Sequence, residues 1–183
     1  MQRIPAVDPA TATGKAKELL DKVQAKFGLT PNMMRTMAQS PAVLEAYLSF
    51  SSALGHSSLS ARFREQIALA VAQANRCDYC LSAHSAIGAM LGLSSQQISA
   101  SRRATAEEGK LEAGLAFART LVATRGMASD EDLARVREAG YNDGEIAEII
   151  ATVALNVFTN YFNHTAQTEI DFPVVRAAEG AAA

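Results

Sequence analysis

REQIALAVAQANRCDYCLSAH, residues 64–84, holds both cysteines of the chain, Cys77 and Cys80, together with His84 and Glu65. What precedes the C-x-x-C decides the fold. A dithiol of this spacing arises most often on a βαβ scaffold, where β-branched residues lead into the motif. Here the lead-in from Arg64 to Ala72 is dominated by alanine, arginine, leucine, glutamate and glutamine, which favour helix over strand, and only Ile67 and Val71 are β-branched. The dithiol therefore belongs to an all-α fold.

If the helix after the motif takes in residues 77–91, Cys77, Cys80 and His84 lie at i, i+3 and i+7, within roughly 60° of one face. The two sulfurs then sit one turn apart, within disulfide reach. His84 stands at i+4 from Cys80, where side chains meet on a helix surface and a proton can pass. Cys77 has a different advantage, because unpaired N–H groups and the macrodipole favour an anion at a helix start. Arg76 adds positive charge and Asp78 partly cancels it, so this geometry does not rank the cysteines. Glu65 lies twelve residues before Cys77, and its neighbours at i+3, i+4 and i+7 are Ala68, Leu69 and Ala72. A carboxylate at the edge of such a packing stripe is partly desolvated, a setting suited to proton transfer.

The same helical pattern runs outward in both directions. Helices are predicted at about 12–26, 32–38, 41–54, 60–75, 78–91, 94–100, 107–125, 130–139 and 143–163. Ser94, Ser129 and Asn142 each precede an acidic or amide residue three positions on, a capping box. Gly28, Gly92, Gly126 and Gly140 mark helix ends. The last helix is apolar on nearly all sides and is expected at the centre of the core or in a subunit interface. Its Asn156, Asn160 and Asn163 are read as partners for buried backbone groups. Met33, Met34 and Met37 read as core or interface filler. The expected organisation is a single all-helical domain over 1–175 with a mobile tail over 176–183.

With 183 residues and 49% hydrophobic content the chain can build one core without disulfide staples. A formal charge of −2 and the lack of a basic run argue against nucleic acid as a partner. No apolar run approaches membrane-spanning length, and the first residues lack the apolar centre of a signal peptide. Cytoplasmic residence is the expectation.

The spacing of Glu65, eleven residues, then C-x-x-C-x-x-x-H resembles the alkylhydroperoxidase D-like members of the carboxymuconolactone decarboxylase superfamily. Phe27-Gly28-Leu29-Thr30-Pro31-Asn32, Ser40-Pro41, Gly92-Leu93-Ser94 and the segment 156–173 extend the likeness over nearly the whole chain. The resemblance implies an all-α, oligomeric, cofactor-free thiol peroxidase, trimeric or hexameric, with an external dithiol or protein as reductant. It also implies roles: Cys80 attacks the peroxide, Cys77 resolves the sulfenic acid, and Glu65 with His84 relays protons. The best-studied members carry a histidine between the cysteines where this chain has Tyr79. Tyrosine does not titrate near neutrality, so the implied relay is shorter.

Two other functions use the same residues. A non-peroxidatic disulfide carrier would exchange with protein or lipoyl thiols. A metal-binding or structural oligomer would recruit Cys77, Cys80 and His84 with His56, His164 or Glu65 as a fourth ligand, at no recognised spacing. Otherwise His56 reads as surface, His164 as a residue near the pocket or a subunit contact, and Tyr79 as a site-entrance or packing residue.

Overall fold

The computed structural model describes residues 2–177. They form nine α-helices and no strand: α1 (Gly14–Phe27), α2 (Asn32–Met37), α3 (Pro41–Leu54), α4 (Ala61–Ala74), α5 (Asp78–Met90), α6 (Ser95–Arg102), α7 (Gly109–Ala123), α8 (Asp130–Glu138) and α9 (Asp143–Ala166). The three predicted capping boxes are present, each with both reciprocal bonds. Gly28 closes α1 at φ 73°, where its N–H reaches the carbonyl of Gln24. The largest departure from the expected boundaries is at the end of α9, which runs on to Ala166. It stops at Gln167, left-handed at φ 49°, and no glycine marks that stop in the sequence.

Helix α4 organises the molecule. Every residue from Gln66 to Ala72 is buried, and α4 packs against α5, α6, α7 and α9. Alanines at 68, 70 and 72 let these neighbours approach closely. Leu69 and Ala72 join a core shared with α1, α2, α3 and both cysteines. Ile67, Ala70 and Val71 join a second core with α7, α8 and α9.

Of the two settings expected for α9, the centre of the core and a subunit interface, the core takes up one face alone. Ile146, Ile149 and Val153 are buried, whereas Ile150, Phe158 and Tyr161 face outward. The helix enclosed on all sides is α4, whose alanines make it look unremarkable in hydropathy.

After α9 the chain runs back over α2 and α5. The Asp171 carboxylate accepts from the Asn32 N–H (2.7 Å), and Ser82 Oγ accepts from the Val175 N–H (2.9 Å). Arg176 and Ala177, the first residues of the expected tail, both donate to the Asp78 carboxylate (2.9 and 2.8 Å). The rest of that tail, 178–183, lies outside the described residues. No helix among the described residues is long and apolar enough to cross a membrane.

Close packing is tightest where α7 meets α4 and α8. A Cβ on Gly114 would fall 2.5 Å from Tyr141 Oη and 2.6 Å from Phe63 Cζ, and both rings are buried. Neither can move aside without disturbing the second core. Gly114→Ala is therefore expected to cost about 2 kcal/mol, read in a thermal melt as a loss of roughly 4–8 °C. An unchanged melting temperature would show that α7 shifts freely at this contact.

Candidate active site

The site begins at the joint between α4 and α5. Arg76 takes a left-handed conformation (φ 54°), which turns the chain within two residues of the end of α4. The Cys77 N–H then bonds back to the Ala72 carbonyl (2.9 Å). Cys77 is not helical, as the spacing argument assumed. It is the N-cap of α5, in extended conformation, and its sulfur accepts the Cys80 N–H at 3.4 Å. The cap nevertheless brings the sulfurs together, with the free Cys77 thiol donating to Cys80 Sγ at 2.6 Å.

The other two predicted residues also converge. His84 Nδ1 and Glu65 Oε2 are 2.7 Å apart, joining α5 to α4, with side chains 21% and 18% exposed. The sulfurs are deeper, each cysteine being 2% exposed. A reactant of small cross-section suits such a site.

Electrostatics separate the two thiols where spacing alone did not. Burial works against ionisation of Cys80. The hydrogen bond from Cys77, the charge of His84 and the amide of Asn163 outweigh it and bring Cys80 down to about 6. The proton that Cys77 gives to Cys80, and then burial, push Cys77 far above the ordinary thiol range. Burial also opposes charge on His84, but the Glu65 carboxylate outweighs it and holds His84 above its ordinary value. These shifts favour the thiolate at Cys80 and the charged form of His84, and oppose ionisation of Cys77.

Sequence reasoning missed three contributors. Asn163, from α9, donates its amide to Cys80 Sγ (3.4 Å) and Met33 Sδ (3.2 Å). Asn160, fully buried, lies on the same helix face. Only Asn156 answers the backbone-partner reading, donating to the Thr152 carbonyl (2.9 Å). The i, i+4, i+7 spacing of three asparagines on an apolar helix was the available signal. Tyr47 packs against the core that holds Cys80; burial, then the charges of Glu65 and Cys80, push its phenol up. Nothing in its sequence context linked it to the motif.

Tyr79 does not line an entrance. It is buried, accepts the Met33 N–H at 3.1 Å and meets Phe172 edge to face. His56 is exposed and bound to the Ser52 carbonyl. His164 bonds the Asn75 carbonyl at 2.8 Å. Among the described residues, no three His, Cys, Asp or Glu side chains converge as metal ligands would.

Comparison with known proteins fits this geometry. Residues 41–120 match the carboxymuconolactone decarboxylase family. The alkylhydroperoxidase AhpD core protein of Ralstonia eutropha JMP134, an uncharacterized peroxidase-related protein, has the same fold. Its TM-score is 0.81 at 26% identity over 93% of this chain and 92% of that one. The chain is thus similar to the carboxymuconolactone decarboxylase family over residues 41–120 and to alkylhydroperoxidase D-like structures over most of its length. A peroxidase-related protein from Silicibacter sp. TM1040 is similar at TM-score 0.79 and 25% identity, over 92% of each chain. The debrominase Bmp8, solved with 2,3,4-tribromopyrrole, shares the fold at TM-score 0.79 and 19% identity, over 92% of this chain and 91% of its own. No curated protein matches the chain.

The charge arrangement sets a pH signature. His84, raised in the folded state, contributes stability that is complete below its unfolded value of 6.5 and fades as pH climbs through the folded one. Glu65→Gln is expected to lower the His84 pKa in an NMR titration and to raise the Cys80 pKa followed by thiolate absorbance. Cys77→Ala should also raise the Cys80 value, by removing its hydrogen-bond donor. A Cys80 titration indifferent to both substitutions would refute the assigned thiolate.

Proposed function

We propose that this protein is a thiol-dependent peroxidase that reduces hydrogen peroxide or organic hydroperoxides through the Cys77–Cys80 dithiol. The observation that carries the reading is the Cys80 sulfur itself, held as an anion between a thiol donor and the His84–Glu65 pair. The Cys80 thiolate attacks the terminal oxygen of the hydroperoxide. The S–O bond forms as the O–O bond breaks, and His84 delivers its proton to the departing alkoxide. Sulfur loses two electrons and the peroxide gains them. Cys77 then condenses with the sulfenic acid, releasing water and leaving a disulfide. An external dithiol or protein reductant restores both thiols. No further cofactor enters this scheme.

The disulfide-carrier alternative uses the same cysteines and needs the same access to the buried sulfurs as the reductant of the peroxidase cycle. What favours the peroxidase is the proton donor beside Cys80, since a departing alkoxide needs one. Cytoplasmic residence suits the scheme, since thiols there are kept reduced.

We also propose that the protein works as a homo-oligomer, a trimer or hexamer by family resemblance. The outward Ile150, Phe158 and Tyr161 of α9, with Leu121 and Val122 of α7, line an open groove of about 450 Å³, and a second copy is its proposed occupant. Light scattering should give a multiple of the chain mass, reduced by Phe158→Asp. A single-chain mass for the unaltered protein would refute the assembly.

The reaction is tested by mixing reduced protein with one equivalent of cumene hydroperoxide and counting thiols by mass spectrometry over seconds. Loss of both thiols to a Cys77–Cys80 disulfide is expected. Cys80→Ser should abolish it, Cys77→Ser should stop at one oxidation, and His84→Gln should slow it about 10²-fold or more. Thiols that survive peroxide yet exchange with a dithiol would replace the peroxidase reading with the carrier.

A further inference from the structure

Two buried polar atoms beside Cys80 have no hydrogen-bond partner: Asn160 Nδ2 and Asn163 Oδ1. Buried polar groups are nearly always paired, so two orphans near one sulfur call for an explanation. They differ in kind, one being a donor and the other an acceptor. Both belong to side chains almost wholly shielded from solvent. Their orientations are held by the atoms at the other end of each carboxamide. Asn163 Nδ2 is occupied by Cys80 Sγ and Met33 Sδ. Asn160 Oδ1 accepts from Asn75 Nδ2 at 2.9 Å. The carbonyl of Asn75 is in turn held by His164 Nε2.

We infer that Asn160 and Asn163 form a cradle for the oxygen that Cys80 carries as a sulfenic acid. This rests on the peroxide reading above. A sulfenic hydroxyl offers one proton and accepting lone pairs, the complement of one free acceptor and one free donor. In the first step the peroxide's terminal oxygen is transferred to sulfur with its hydrogen, and the alkoxide leaves with the proton from His84. Asn163 Oδ1 then takes the S–O–H hydrogen bond, and Asn160 Nδ2 donates to the oxygen. Held this way, the sulfenic acid waits for Cys77 instead of meeting a second peroxide, which would oxidise it to the sulfinic acid. Asn75 touches no reacting atom. Its place is to aim Asn160, with His164 behind it.

The test uses the full chain carrying Cys77→Ser, so that the sulfenic acid cannot be resolved. Cumene hydroperoxide is added, and sulfenic acid is trapped with dimedone and sulfinic acid counted by mass spectrometry. The quantity read is the rate of over-oxidation relative to the rate of first oxidation, which a general loss of stability does not move. Adding Asn160→Ser or Asn163→Ser should raise that ratio about five- to tenfold, the effect of one lost hydrogen bond. Asn75→Ala, which leaves both carboxamides in place, should raise it less but in the same direction. A ratio unchanged within twofold in every variant that folds overturns the cradle and leaves the peroxidase standing, and Asn75→Ala alone decides if the serine variants do not fold. Failure of the Cys77→Ser parent to form any sulfenic acid overturns the peroxidase and the cradle together.

Discussion

A sulfur buried yet biased towards its anion is the constraint around which the candidate site is arranged. Removing a charge from water costs several kcal/mol unless donors and counter-charge replace the lost hydration. Cys80 meets that cost from three directions. The cap of α5 supplies the Cys77 proton, the next turn of α5 supplies the His84 charge, and α9 supplies the Asn163 amide. His84 could not stay charged at this depth by itself, so α4 supplies Glu65. Each partner comes from a helix that packs on α4 or is α4. The alanine-rich surface that lets those helices approach is thus as much a condition of the chemistry as the cysteines are.

Much of this could be read in the sequence because the local signals agreed with one another. Ser94, Ser129 and Asn142 announce their helices through hydrogen bonds made within four residues, and such bonds need no tertiary context. Cys80, His84 and Glu65 were legible for a similar reason, since helical spacing fixes i+4 neighbours and an adjacent hairpin brings Glu65 alongside. What stayed hidden depended on long-range contacts. Asn163 lies 83 residues from Cys80, and no local rule connects a polar residue on α9 with a sulfur on α5. The same limit left α9 open between core and interface, because its apolar residues divide between core and exterior according to neighbours that hydropathy does not name. Tyr79, read as a site-entrance or packing residue, packs, its hydroxyl accepting the Met33 N–H of α2.

The tyrosine also bears on how short a proton relay can be. A histidine at that position would offer a second titrating group, but here the backbone directs the side chain towards α2 and Phe172, away from the Glu65–His84 pair. Nothing is missing from the remaining pathway. In the proposed peroxidase reaction, a proton that His84 spends on an alkoxide is replaced through Glu65, whose carboxylate is partly open to solvent. The shared fold of a debrominase shows that this scaffold does not select one reaction. Selection falls to the immediate surroundings of the sulfur, which here are buried and polar on the α9 side.

Stabilising the thiolate has a consequence for the oxidised state. Every interaction that favours the Cys80 anion favours the dithiol over the disulfide, and so makes the disulfide a better oxidant. Oxidation also withdraws the Cys77 proton from Cys80 and alters the sulfur that caps α5. The disulfide therefore gives up the charge of His84, the amide of Asn163 and the thiol donor at once, and reduction restores all three. A structural crosslink would gain nothing from that arrangement, because it persists only if the disulfide is the lower-energy state. A dithiol that must return to its starting form after each oxidation gains from it directly, since the fold itself favours the step that completes the cycle.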